Sequence, residues 1–314
     1  EGSKMQTIGV NAFFNCTALA SMQLPGGLVY IENGAFNNCK YLETITIDPA
    51  NETYIVKGDA VYSDLSDLVD IEALANTMYM LEYYILSKTP AELTLDDDVV
   101  AIGPFAFYNN KNLKTISGKT IGIVDAYAFN GSTIENFDAN MLMLVGVNAF
   151  RNCTKLKSID LHNVWSFGTS AFENCTSLDN VTFSESVYEI GELAFANTGL
   201  KNVTIYGDDC YVNEASFKGC KELESVRLEE GVSYVGMNAF LDCPKLKTIY
   251  LSKTVKYFED NAFNGCDNVT FQLIKNTTAY KHIKNNTDYN FEVVGNYSFF
   301  QRIIDFFKAL FGIE

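Results

Sequence analysis

Eight cysteines and two histidines are the residues of this chain best suited to metal binding, redox work or nucleophilic attack. Seven of the cysteines, Cys16, Cys39, Cys153, Cys175, Cys220, Cys243 and Cys266, fall at one position of a period near 22–23 residues. Asn110, Ser132 and Thr198 fill that position elsewhere, so it reads as a small, buried, mildly polar slot. Zinc modules need ligands a few residues apart, and no C-x-x-C occurs. Side chains stacked on successive turns point the same way, which disfavours disulfides. Cys210, off position beside Asp208 and Asp209, reads as a free thiol. Neither His162 nor His282 has a nucleophile motif nearby, and G-x-S-x-G, H-E-x-x-H and phosphate-binding glycine loops are absent. Asp96-Asp97-Asp98 lacks the ligand-rich loop of a calcium site. The sequence therefore assigns no catalytic, cofactor-binding or metal-binding residue, and enzyme activity is not expected.

The period itself carries more information. An Ala-Phe or Ser-Phe pair ends at Phe13, Phe36, Phe107, Phe129, Phe150, Phe172, Phe195, Phe217, Phe240 and Phe263. Successive gaps are 21 to 23 residues, except one of 71, close to three periods, that hides degenerate units. After each pair comes L-x-x-I-x-L, as at Leu156/Ile159/Leu161, Leu178/Val181/Phe183, Leu200/Val203/Ile205 and Leu223/Val226/Leu228. Its alternation of apolar and polar residues predicts a short strand with one buried face. A second apolar pair, such as Val187/Ile190 or Val232/Val235, lies on the return path, and the Ala-Phe element between reads as a helical turn or short helix plugging the core. The third motif position is always Ser, Thr or Asn: Ser21, Thr44, Thr115, Asn136, Ser158, Asn180, Asn202, Ser225, Thr248. Such side chains bond backbone at a strand entrance, so this row is expected to be structural. Triplets such as Asn15-Cys16-Thr17, Asn152-Cys153-Thr154, Asn174-Cys175-Thr176 and Asn202-Val203-Thr204 match the glycosylation pattern only because the repeat supplies Asn and Thr there.

The unit I-G-x-x-A-F-x-x-C-x-x-L-x-x-I-x-L resembles the BspA-like (treponemal-type) leucine-rich repeat of bacterial surface proteins, over residues 8–274. The resemblance implies an α/β fold class: a right-handed leucine-rich-repeat solenoid of about 12 repeats, with a parallel sheet on one side and short helical turns and irregular returns on the other. Asn51 to Tyr62 is similar to a variant unit of the family in which a turn with aromatic residues replaces the Ala-Phe segment, and Asp96 to Asp98 falls at an inter-strand turn. Residues 1–274 form the array, with 50–100 degenerate and an irregular insertion from Asp64 to Ala91, in which Met78 to Leu86 is an extra strand or a bulge. Residues 275–295 resemble a capping segment, and 296–314 read as an amphipathic helix, with Phe299, Phe300, Ile303, Ile304, Phe307, Leu310 and Phe311 at helical spacing. That helix is expected to cover the last unit or to mediate self-association.

With 39 acidic against 23 basic residues, the net charge of −16 opposes nonspecific nucleic-acid binding and favours basic patches on a partner. No apolar run approaches 18 residues, and the first residues have no signal-peptide h-region, so the chain reads as a mature or trimmed form. Solenoids recognise partners on their extended strand face. The outward strand position, Gln23, Thr46, Ser117, Asp138, Asp160, Thr182, Thr204, Arg227 and Tyr250, is therefore the candidate binding face. The resemblance implies an exported, adhesin-like module that contacts a host or bacterial surface protein. Two alternatives stay open: a spacer within a larger surface protein, or a carbohydrate-binding array. The latter requires clustered exposed aromatics, with Tyr250, Tyr257, Tyr79, Tyr83 and Tyr84 as candidates.

Overall fold

Apolar residues that alternate along the chain place one face of each strand in a core, and the repeat brings such a strand back every 22–23 residues. A computed structural model describes residues 5–66, 78–259, 261–286, 289–296 and 304. The expected helix over 296–314 and the middle of the Asp64–Ala91 insertion lie outside the described residues, apart from residues 296 and 304. The solenoid expected from the repeat is what forms. One turn runs from the front strand Ser225–Leu228 through a tight turn at Gly231 into the return strand Val232–Val235. The chain then passes Ala239 and Phe240 and re-enters the front sheet at Thr248–Leu251.

Front strands pair in parallel and in register. Ser21–Leu24 pairs with Thr44–Ile47, Glu92–Thr94 begins a four-stranded sheet, and Asn202–Ile205 begins a five-stranded one ending at Asn290–Asn296. Between them a bridge joins Leu161 and Phe183. The return path is more ordered than the sequence suggested. Short strands such as Ile123–Val124, Leu144–Val145, Ser166–Phe167 and Glu189–Ile190 join one sheet of eleven strands. Each is only two residues long, too short for alternation to register as a pattern.

The Ala-Phe segment is a turn rather than a helix. Asn148 and Asn152, on either side of Phe150, have φ of 56° and 61°, and equivalent residues recur along the array, mostly Asn, Gly or Asp. These types tolerate the left-handed region. The segment is bonded directly to the next turn: the N–H of Phe150 donates to the Ala171 carbonyl at 2.8 Å, flanked by Asn148 to Thr169 and Asn152 to Glu173. The same Phe-to-Ala or Phe-to-Ser bond, 2.7–2.8 Å, follows Phe107, Phe129, Phe172, Phe195, Phe217 and Phe240. The glycosylation-like Asn15, Asn152 and Asn174 hold these left-handed positions, and Asn174 Nδ2 donates to Asn152 Oδ1 at 2.9 Å.

The phenylalanines stack as a central column. Consecutive ring centroids from Phe107 to Phe263 are 5.0–5.5 Å apart, with interplanar angles of 14° or less. The degenerate unit keeps the column going. Tyr54–Lys57 and Ala60–Asp64 make an antiparallel hairpin, and Tyr79–Tyr84 adds a strand antiparallel to it and parallel to Val99–Ile102. Met78 to Leu86 thus contains an extra strand, not a bulge. Tyr83 meets Phe36 at 5.5 Å and Tyr84 stacks on Phe107 at 5.7 Å, filling the gap that the missing Ala-Phe pair would leave. At the other end, helix Thr278–Asn286 buries Ala279 and Ile283 in the core, with the Thr277 hydroxyl accepting from the Tyr280 N–H at its start. Among the described residues no helix is long and apolar enough to cross a membrane.

Phe195 is fully buried and packs between Phe172 and Phe217. Truncating it to Ala is expected to cost about 3–5 kcal/mol of stability, read from urea unfolding followed by circular dichroism. An unchanged urea midpoint would contradict the column's role.

Candidate functional site

Because Ile159 points inward, its neighbours Ser158 and Asp160 point to solvent, and the front sheet repeats this at every turn. Two outward rows result. The Ser/Thr/Asn row does not bond the backbone as expected; it bonds between turns, Ser158 Oγ donating to Asn136 Oδ1 at 2.9 Å and Ser225 Oγ to Asn202 Oδ1 at 2.7 Å. Beside it runs the candidate face. Gln23 pairs with Thr46, Ser117 with Asp138, and Thr204 with Arg227, which pairs with Tyr250. Gln23, Thr46, Asp138, Asp160, Thr182 and Arg227 are exposed, while Ser117, Thr204 and Tyr250 are half-buried.

The row contains residues that the motif search passed over. Thr94 pairs with Ser117, its hydroxyl 3.0 Å from the Ser117 Oγ, and Gln272 and Glu292 extend the row beyond Tyr250. Their strands lack the leading L-x-x, and register alone reveals them. Two members satisfy each other: the Arg227 guanidinium lies 4.3 Å from the Tyr250 ring and pairs with Glu229 at 2.7 Å. Asp138 and Asp160 instead line an open trough of about 750 Å³ that also takes in Lys157, Asp179 and Thr182. The Asp160 carboxylate faces the His162 imidazole.

A charged row borders this face. Lys114, Glu135, Lys157, Asp179, Lys201, Glu224 and Lys247 occupy successive turns and alternate in sign without a break. Lys157–Glu135, Lys201–Asp179 and Lys247–Glu224 are 2.7–2.9 Å apart, and hydrogen bonds from the lysines hold these carboxyls below their ordinary range. These pairs are exposed, so they set register and local charge more than stability. Asp97 and Asp98 are similarly occupied, by Lys119 at 3.2 Å and Lys57 at 2.9 Å.

The repeated cysteines are inert by construction. Apart from Cys16 in the first turn, each thiol donates to the phenylalanine carbonyl of the preceding turn: Cys153 to Phe129 at 3.0 Å, Cys175 to Phe150 at 3.1 Å, Cys220 to Phe195 at 3.2 Å. Burial pushes Cys153 up to about 12 and Cys220 to about 11. The substitutes are bonded differently: Thr198 Oγ1 donates to the Phe195 carbonyl of its own turn at 2.9 Å, Ser132 Oγ lies 3.4 Å from Cys153 Sγ, and Asn110 Nδ2 donates to Thr89 Oγ1 at 2.8 Å. All eight cysteines are free; Cys16 is half-buried and the others are buried, Cys210 included.

Of the tyrosines proposed for sugar stacking, Tyr83 is buried, Tyr79 and Tyr84 pack against the core, and Tyr250 lies against Arg227. Only Tyr257 of that set is substantially exposed, and it belongs to a different surface, the outer side of the return sheet. A further cavity, of about 250 Å³, opens where the first turns meet the hairpin, lined by Tyr30, Glu32, Tyr54, Met80, Glu82 and Asp125 among others. Burial pushes the Glu82 carboxyl up to about 7, helped slightly by the Asp125 charge.

A family model for the BspA type leucine rich repeat region (6 copies) matches residues 2–114, 82–201, 143–270 and 190–305. The chain belongs to this family. BspA-type arrays are repeat scaffolds, consistent with a structure whose every turn repeats one framework. A solved leucine-rich repeat protein from Eubacterium ventriosum is 24% identical over 84% of this chain and 63% of its own, with a TM-score of 0.55, and this likeness shows the fold. A leucine rich cell surface protein from Faecalibacterium prausnitzii is 19% identical over 91% of this chain and 50% of its own, at a TM-score of 0.31. The leucine rich repeat protein of T. pallidum is 22% identical over 69% and 91%, at 0.43. This BspA-type chain thus spans less than two thirds of the first two. No curated protein matches it.

Two measurements check these assignments. In native protein, a thiol reagent at neutral pH is expected to modify Cys16 rapidly and the buried seven only after unfolding; rapid labelling of Cys175 or Cys220 would contradict the slot geometry. Glu82 binds its proton more tightly when folded, so its contribution favours folding at low pH and is lost between about pH 4.5 and 7. Glu82→Gln is therefore expected to raise stability at pH 8 by up to about 3 kcal/mol and to change little at pH 4.

Proposed function

We propose that this chain is a non-enzymatic binding scaffold on the outside of a bacterial cell, contacting a surface protein of a host or neighbouring cell through the outward row of its front sheet. The supporting observation is where the repeat relaxes its rule. The core, the slot and the left-handed position after each Phe use a narrow set of residue types, whereas the outward row reads Gln, Thr, Thr, Ser, Asp, Asp, Thr, Thr, Arg, Tyr from Gln23 to Tyr250, with Thr94 included. Side chains held in register on a long sheet, yet free of any packing requirement, are what a recognition surface needs. The family supports export, as does the cell-surface description of the Faecalibacterium protein. A face of this kind, polar and centred on Asp138 and Asp160, suits a protein partner with basic groups.

A solid-phase panel of matrix proteins, bacterial surface proteins and glycans at low and high salt tests this. A saturable protein hit that weakens with salt is expected, and Asp138→Asn with Asp160→Asn should weaken it about tenfold without changing the melting curve. Silence across the panel from folded protein would overturn the adhesin reading in favour of a spacer. A glycan hit untouched by these substitutions would overturn the choice of face.

A further inference from the structure

The return sheet exposes a second and different surface. Five of its turns carry an aromatic residue shortly before the inward residue that precedes the Ala-Phe turn: Trp165 and Tyr188 two residues before it, Tyr211, Tyr234 and Tyr257 one residue before it. They adjoin turn by turn. The Tyr188 N–H donates to the Trp165 carbonyl, the Tyr211 N–H to the Tyr188 carbonyl, and Tyr211, Tyr234 and Tyr257 are in register. Trp165 contacts Tyr188 edge-on at 6.2 Å, and Tyr234 lies 5.7 Å from both Tyr211 and Tyr257, nearly parallel to the latter at 9°. Trp165, Tyr188, Tyr211 and Tyr257 are 45–54% exposed, far more than core aromatics. Contiguous exposure of such side chains marks interaction surfaces.

Acidic residues flank the stripe. Glu189, Glu192, Glu214 and Tyr234 share a groove of about 500 Å³ with Asn213, and Glu259 follows Phe258 one strand further on. Burial, with the charges of Glu259 and Glu214 adding to it, holds the Tyr234 phenol above its ordinary value. Among the described residues, none of Glu189, Glu192, Glu214 and Glu259 is ion-paired with a lysine or arginine, although the front sheet pairs its carboxylates turn after turn. The same protein shows what such a set attracts. At Arg227, a guanidinium lies on the Tyr250 ring while bonding Glu229, and Lys57 lies 4.0 Å from the Tyr79 ring while bonding Asp98.

We infer that this stripe and its glutamates form a second docking surface, whose occupant is a basic polypeptide segment rich in arginine or lysine. Charge complementarity selects that class. The aliphatic stems of such residues pack against exposed apolar ring edges while their cations bond carboxylates. Stacked rings turn their faces along the solenoid axis, so Tyr234 and Tyr257 present edges and hydroxyls outward, a poor platform for a sugar face and a good one for N–H donors. Nucleic acid is opposed by the same carboxylates. The inference is independent of the front-sheet reading, since the two surfaces lie on different sheets.

Trp165 is the sole tryptophan, so its emission reports on the stripe directly. The probe is a synthetic peptide of about a dozen residues alternating arginine and glycine, with a serine–glycine peptide as control; side chains of an extended segment recur on one face every ~6.6 Å, on the scale of the turn spacing. Titration at low salt is expected to change Trp165 emission saturably with the basic peptide alone. Tyr211→Ser with Glu214→Gln, both at exposed residues, should weaken binding about fivefold or more with little change in the melting curve, while Asp138→Asn with Asp160→Asn leaves binding as it was. Absence of saturable binding, equal binding of the control, or loss of binding through the Asp138 and Asp160 substitutions alone would each overturn the assignment. That last outcome would instead support the front-sheet reading.

Discussion

Every residue of a turn lives within one inter-strand spacing of the turn before and the turn after. The stacked phenylalanine column expresses this most plainly. Rings 5.0–5.5 Å apart leave no room for a second layer, and the N–H of each Phe from Phe107 to Phe240 is spent on the next turn. Residue choice elsewhere follows. Ala precedes Phe because its carbonyl must accept that bond in a buried, crowded position. Gly168 sits where a Cβ would come within 2.6 Å of the Val147 backbone nitrogen, and Gly191 where it would meet the Phe167 oxygen at 2.5 Å. The slot takes small side chains with a bonding group: the thiols reach the Phe carbonyl of the preceding turn, and Thr198, Ser132 and Asn110 find other partners close by. What remains unconstrained is the outside of the two sheets, and it is there that chemistry varies from turn to turn.

Much of this framework is written in the sequence because the constraint repeats. The Ala-Phe pair, the L-x-x-I-x-L strand and the inert cysteine slot could be read from spacing, and so could the outward row from Gln23 to Tyr250. Three features could not. The return strands are two residues long, and pairing with neighbours rather than local pattern makes them strands. The Ala-Phe segment reads as a helical turn until the backbone signs of Asn148 and Asn152 are known, since Asn is as compatible with a helix cap as with the left-handed region. Tyr83 and Tyr84 replace two rungs of the column from a strand of another type, so no motif announces them. The aromatic stripe escaped for a related reason: Trp165 and Tyr188 sit two residues before the conserved spacing of Phe167 and Ile190, Tyr234 and Tyr257 only one.

The two exposed surfaces are built to different rules. The bordering row of the front sheet neutralises itself, with lysine and carboxylate alternating from Lys114 to Lys247, so the variable row with Asp138 and Asp160 is framed by fixed ion pairs. The return sheet gathers apolar rings and leaves its glutamates unneutralised by described cations. A chain of net charge −16 that balances one face so carefully concentrates its excess elsewhere. Recognition through side chains on a rigid repeating frame requires that the frame be uniformly rigid, including the segments that carry no regular secondary structure.

Native-state hydrogen exchange followed residue by residue tests that requirement most directly. If turn-to-turn bonding governs the structure, the amides of Phe129, Phe150, Phe172, Phe195 and Phe217 will exchange as slowly as those of the front strands beside them, although they lie in turns. Exchange of these amides at the rate of exposed loops, with the strands still protected, would contradict the account and reduce the Ala-Phe segments to ordinary connections.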